Sequence, residues 1–109
     1  MNKIMVICTT NSLELAQEIA SALVETHEAA CVNIVPQIKS IYRWEGKVCN
    51  DEEFLLLIKS SAERFEAVRS RIRRLHTYDV PEVIALQITA GDPDYLQWLD
   101  SSLAGRNDG

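Results

Sequence analysis

The heptapeptide His76-Thr77-Tyr78-Asp79-Val80-Pro81-Glu82 gathers an imidazole, a phenol and two carboxylates just ahead of an apolar run. Side chains of these types can line a pocket with Lys59 and Trp44, and His76 with Asp or Glu oxygens can hold a divalent cation. The same residues also read as a helix end, with His76 favouring the dipole, Tyr78 packing and Pro81 stopping the helix. Two other chemistries are less well supplied. A soft-metal carrier needs two thiols close together, yet Cys8 is followed by Thr9, Thr10 and Asn11, and Cys31 and Cys49 stand far along the chain. A lone cysteine among apolar residues is more often a small buried hydrophobe. A phosphate-ester or acyl-phosphate hydrolase needs arginine and backbone donors converging in a glycine-rich loop. Gly46, Gly91, Gly105 and Gly109 are the only glycines, and none follows the first apolar run, so a non-enzymatic protein is expected.

The element that must position these groups is the stretch 38–59, which reads as a long β-hairpin. Ile38, Ile41, Tyr42 and Trp44 lead into Gly46, the residue there that takes a positive φ at no steric cost, and Val48 leads on to Phe54-Leu55-Leu56-Leu57-Ile58-Lys59. At ~3.3 Å per residue an arm of about ten residues reaches roughly 30 Å, so part of the hairpin must overhang its own domain. Phe54, Leu56 and Ile58 point to one face of the sheet, and Leu55 and Leu57 to the other. Both faces want cover, and an apolar second face predicts a partner subunit.

The rest of the chain supplies the frame. Ile4 to Ile7 is a continuous apolar run, a central first strand. Asn11 or Ser12 caps a helix whose stripe is Leu13, Ala16, Ile19, Ala20, Leu23 and Val24. A second strand starts at Ala29-Ala30-Cys31, and Pro36 demands a bend, a bulge or an edge. Ser60 and Glu63 have capping-box spacing ahead of a helix with Phe65, Val68, Ile72 and Leu75 on its buried side. A strand over 82–89 follows, and then Asp92-Pro93 opens a last helix carrying Leu96, Leu99 and Leu103, with a tail over 104–109 that should fray. The order β-α-β-β-α-β plus a terminal helix predicts an α+β, ferredoxin-like sandwich in a single domain, 1–109.

With 109 residues, a net charge of −5 and pI near 4.9, nucleic acid and anionic membrane are not expected partners. Arg64, Arg69, Arg71, Arg73 and Arg74 fall at helical spacing and read as a solvated face. No run approaches the ~20 apolar residues that cross a bilayer, and the first apolar run is too short for a signal peptide. Three widely spaced cysteines form no disulfide framework, so a cytoplasmic protein with free thiols is expected. Asp51, Glu52 and Glu53 come in succession, and alternation of Lys39, Arg43, Glu45 and Lys47 predicts basic residues between the hairpin carboxylates.

Five segments in order resemble the CutA divalent-cation tolerance proteins. They are Ala29-Ala30-Cys31-Val32-Asn33-Ile34-Val35-Pro36, Ser40-Ile41-Tyr42-Arg43-Trp44-Glu45-Gly46-Lys47, Ile58-Lys59-Ser60, the 76–82 heptapeptide, and Gly91-Asp92-Pro93-Asp94-Tyr95-Leu96-Gln97-Trp98-Leu99. The resemblance implies a homotrimer of ferredoxin-like subunits, related in architecture to the PII signalling proteins, with the hairpin joining sheets across subunits. It implies tolerance of copper and other divalent cations in the cytoplasm. It also implies a polar cleft at the subunit boundary, mapping onto Trp44, Glu45, Lys59, Tyr78 and Glu82, with Cys31 as a recurrent thiol. Cys31, His76 and Glu82 are then the candidate ligands for a weakly held divalent metal ion. A PII-like trimer that binds a small anionic metabolite through Lys59, Tyr78 and Trp44 and signals to a protein partner is the alternative. Thr77 and Leu75 depart from the proline and second histidine found in members of that family, which argues against a two-histidine copper site.

Overall fold

Alternation in the long strands and a 3.6-residue period between them are realised as β1 (Lys3–Thr10), α1 (Leu13–Glu25), β2 (Cys31–Trp44), β3 (Lys47–Ser61), α2 (Phe65–Leu75), β4 (Ile84–Gln87) and α3 (Pro93–Leu103). A 3₁₀ turn, Ala62–Arg64, leads into α2. The computed structural model describes residues 2–105. The strands form one antiparallel sheet in the order β2-β3-β1-β4, the α+β ferredoxin-like arrangement expected from the element order. Much of the tail predicted to fray lies outside the described residues.

Parity along the strands separates two faces. Ile4, Val6 and Cys8 of β1 and Leu56 and Ile58 of β3 are buried beneath Leu15, Ala16, Ile19 and Leu23 of α1 and Val68 and Ile72 of α2. The opposite face carries the rows Cys31, Lys59, Met5, Leu86 and Asn33, Leu57, Ile7, Ile84, with Val35, Leu55 and Thr9 following. Val35, Ile84 and Leu86 on that face are exposed, while Leu55 and Leu57 are half-buried. The helix α3 covers its far end only, where Asp100 pairs with Lys3 at 3.1 Å, Tyr95 lies close enough to Cys31 to feel its charge, and Leu99 and Leu103 pack on Ala30. Arg64 and His27 hold α3 down by hydrogen bonds to its last carbonyls, at Leu103 and Ser102.

The hairpin turns through Glu45 (φ 50) and Gly46 (φ 80), between the paired Trp44 and Lys47. Two successive positive φ values make the two-residue turn whose twist matches that of the flanking strands. The molecule measures 47 × 25 × 23 Å, its long axis nearly twice the others, as an overhanging hairpin requires. Pro36 produces a bulge. The register of β2 shifts between Val35 and Ile38, and Gln37 takes φ 60.

Several local expectations change. Ser12 is the cap of α1, its Oγ accepting from the Leu15 N–H at 3.0 Å, and Leu15 takes the buried place expected for Leu13, which is exposed. The Ser60–Glu63 capping box does not form. The strand β3 runs on through Ser61, and the Ser60 hydroxyl donates to the Glu28 carbonyl at 2.6 Å, so a tertiary bond takes the side chain that a cap would use. β4 is shorter than the 82–89 run.

Candidate functional site

Beyond the bulge, β2 and β3 leave the helices behind, and the loop after α2 folds against their base. Between hairpin and loop lies a cleft of about 740 Å³, bordered by Lys39, Tyr42, Trp44, Glu53, Tyr78 and Glu82, together with Thr9 and Asp79 to Pro81. The chain reaches this geometry through the β pleat. Leu57, Leu55, Glu53 and Asp51 share one face of β3, so the parity that makes an apolar sheet face in the body delivers the Glu53 carboxylate to the cleft.

His76 anchors the loop. The Tyr78 N–H donates to its Nδ1 at 3.1 Å, so the ring hydrogen sits on Nε2, which donates to the Thr9 carbonyl at 2.7 Å. Both ring nitrogens are thereby used, and the imidazole packs on the Tyr78 ring with centroids 4.5 Å apart. Its role in this arrangement is to aim Tyr78. The Tyr78 hydroxyl donates to Glu53 Oε2 at 2.6 Å, and burial together with this bond pushes the phenol pKa well above its ordinary value. Glu53 is 7% exposed, so this partner matters. Tyr78→Phe is expected to destabilise the fold by about 1 kcal/mol, because it leaves a buried carboxylate oxygen without its donor. Urea unfolding compared with Tyr42→Phe checks it. The Tyr42 hydroxyl donates to Asp51 at 2.5 Å and is pushed up to about 12 chiefly by that bond, but it faces solvent, and its loss should change stability far less.

Charge in the cleft is negative. Glu53, Asp79 and Glu82 face a single lysine among the lining residues, and Lys39 Nζ is paired with Glu52 at 3.3 Å. Lys39 therefore does for Glu52 what the alternation of hairpin charges predicts, whereas Asp51 and Glu53 are held by phenols. Beneath the cleft, burial raises the Cys8 thiol to about 12, with the Glu82 and Glu53 charges adding to it, so Cys8 stays a neutral core side chain.

Of the residues singled out from sequence, Trp44, Tyr78 and Glu82 meet in the cleft, with His76 behind them. Glu45 stands in the hairpin turn, outside the cleft lining. Lys59 lies six residues along β3 from Glu53, about 20 Å away at ~3.3 Å per residue, and its ammonium is bonded to Asn33 Oδ1. Cys31 is the register partner of Lys59 at that end of the sheet, and Cys31, His76 and Glu82 do not come together within the subunit as a metal-holding group. Among the described residues no group of three or more His, Cys, Asp or Glu side chains is placed to hold a metal ion. Glu53, Tyr42 and Lys39 were not singled out for the cleft. Counting by twos back from Leu55, and across the hairpin from Cys49 to Tyr42, would have found the first two.

Comparison with known proteins gives one answer. A family model described as CutA1 divalent ion tolerance protein matches residues 4–102. The chain is 50% identical over 95 residues to a divalent-cation tolerance protein CutA of Thermus thermophilus, covering 87% of this chain and 92% of that one. It is 48% identical over 99 residues to the chloroplastic CutA of Arabidopsis thaliana, covering 91% of this chain and 54% of that protein. It superposes on the crystal structure of CutA1 from Oryza sativa with a TM-score of 0.91 at 41% identity, covering 100% and 97% of the two chains. No described helix is long and apolar enough to cross a membrane. With the long hairpin, the split βαβ sheet and these matches agreeing, the chain belongs to the CutA1 divalent ion tolerance protein family.

Proposed function

We propose that this protein supports divalent-cation tolerance in the cytoplasm without catalysis, as a homotrimer that binds copper or similar ions weakly. The observation that carries the reading is the sign of the cleft. Among the described residues that line it, three are acidic and the one lysine is already paired, so it attracts cations and repels anions. An anionic metabolite is less well served, because the Lys59 ammonium expected to receive it is about 20 Å along the strand from Glu53. Weak binding fits the lack, among the described residues, of three convergent His, Cys, Asp or Glu side chains. Cys31 offers a half-buried thiol and Glu82 an exposed carboxylate, at two separate stations, and His76 serves by holding Tyr78.

Isothermal titration with copper tests this. Cys31→Ser and Glu82→Gln should each weaken binding by about tenfold. His76→Ala should change it less, since neither imidazole nitrogen has a free lone pair to offer. Unchanged binding in both of the first two variants would remove these ligands.

A further inference from the structure

The cleft that draws metal ions by its charge also has the features that suit a larger cation. A bare divalent ion is held most firmly by several charged or imidazole donors converging at short range, and among the described residues no group of three His, Cys, Asp or Glu side chains does so. What the cleft has instead is aromatic surface. Tyr42 and Trp44 remain 42% and 46% exposed on the hairpin arm, and Tyr78 stands across from them on the loop. Large aromatic side chains left in view at a concave site are suited to a ligand with a face or a diffuse charge.

The electrostatics agree. The Tyr42 and Tyr78 hydroxyls both donate to carboxylates, Asp51 and Glu53, which leaves their rings electron-rich and fixes their orientation. Glu82 is exposed and Lys39 is drawn to Glu52, so the negative charge of the cleft is uncompensated by its one lysine. The volume, about 740 Å³, lies in the range of sites that take small organic molecules. Aromatic faces flanked by carboxylates attract an alkylated ammonium, whose charge is spread over methyl or methylene groups and is cheap to strip of water.

We propose that the cleft between the hairpin and the 76–82 loop binds an organic ammonium ion, with Trp44 and Tyr42 as its aromatic walls and Glu53 and Glu82 as the charges that select it. The inference shares with the metal-ion reading only the sign of the ligand's charge. It needs the aromatic walls, which a metal ion does not, and it makes no use of Cys31.

The test is a nuclear magnetic resonance titration of the full chain, kept metal-free with a chelator, with tetramethylammonium and its uncharged isostere tert-butanol as probes. Tetramethylammonium should move the Trp44 indole N–H resonance with a millimolar midpoint and leave Trp98, on α3, in place. Trp44→Leu, read through the Tyr78 amide, and Glu82→Gln, read through the Trp44 indole, should each weaken binding, the first by about tenfold. Both side chains are exposed in the single subunit, so neither change threatens its fold. Added salt should also weaken it. Equal response to tert-butanol would overturn the proposal, since the cleft would then be only an apolar groove, and so would a Trp44 resonance that stays still into the high-millimolar range. Because the protein is metal-free, a failed copper titration leaves this readout standing, and a failed ammonium titration leaves the copper result untouched.

Discussion

Ile84→Asp combined with Leu86→Asp is expected to leave a folded monomer, where the unsubstituted chain, if it assembles as proposed, should sediment at three times the mass of one subunit. Both residues sit on β4, the edge strand, on the sheet face away from α1 and α2, and they are 51% and 47% exposed in the single chain. With Val35, Leu55 and Leu57 they form an apolar surface that α3 covers only at its far end. A water-facing antiparallel sheet normally alternates apolar with polar residues, and an unpaired edge invites another strand. Packing this face against a second copy removes both liabilities. A carboxylate buried there costs several kcal/mol, and symmetry repeats the cost in every subunit. In the isolated subunit the same side chains point into water, so folding is spared. Sedimentation equilibrium at micromolar concentration, with far-UV circular dichroism as the folding control, measures both. A variant that keeps the trimer mass would show that the contacts lie elsewhere.

That face was legible because Leu55 and Leu57 interrupt the alternation a monomer would show, and the bulge was legible because Pro36 cannot donate to a ladder. What sequence spacing could not reveal was how individual polar side chains are spent. Ser60 and Glu63 have the spacing of a capping box, but Ser60 is committed to the Glu28 carbonyl, a contact spanning 32 residues that no local pattern announces. His76 carries the chemistry of a ligand, and only the fold shows that Tyr78 and Thr9 occupy its two nitrogens. Lys59 belongs by parity to the same face as Glu53, but it lies too far along the strand to share the cleft within one chain. Parity assigns a face, and strand rise decides who can meet on it.

Glu28→Gln should cost about 2 kcal/mol at neutral pH, and the cost should vanish in acid. After α1 ends at Glu25, Thr26 caps the helix and His27 takes φ 61, which throws Glu28 back across the end of α2. There Arg71 donates from Nε to Oε1 at 2.9 Å and from its terminal nitrogen to Oε2 at 3.2 Å, while the Thr26 hydroxyl donates to Oε1 at 2.9 Å. The pair ties the two helices together, and its side chains are 27% and 19% exposed for arginine and glutamate. Burial alone would raise the Glu28 pKa. The Arg71 and Thr26 bonds, with the charges of Arg71 and Arg74, outweigh it and hold the carboxyl below its ordinary 4.5. A depressed folded pKa makes a contribution that is fully present above the unfolded value and lost as pH falls through the folded one. The wild-type advantage over Glu28→Gln should therefore be constant from pH ~7 to about 5, shrink below ~4.5, and disappear once the native carboxyl is protonated. Urea unfolding of both proteins at matched concentration across that range gives the difference directly, and the shared titration of other carboxylates cancels. Arg71→Lys separates charge from geometry. It keeps the cation but loses the two-pronged donation, and should recover only part of the stability that Arg71→Ala loses. A gap between wild type and Glu28→Gln that stays the same into acid would mean that Glu28 holds α1 to α2 by packing rather than by charge.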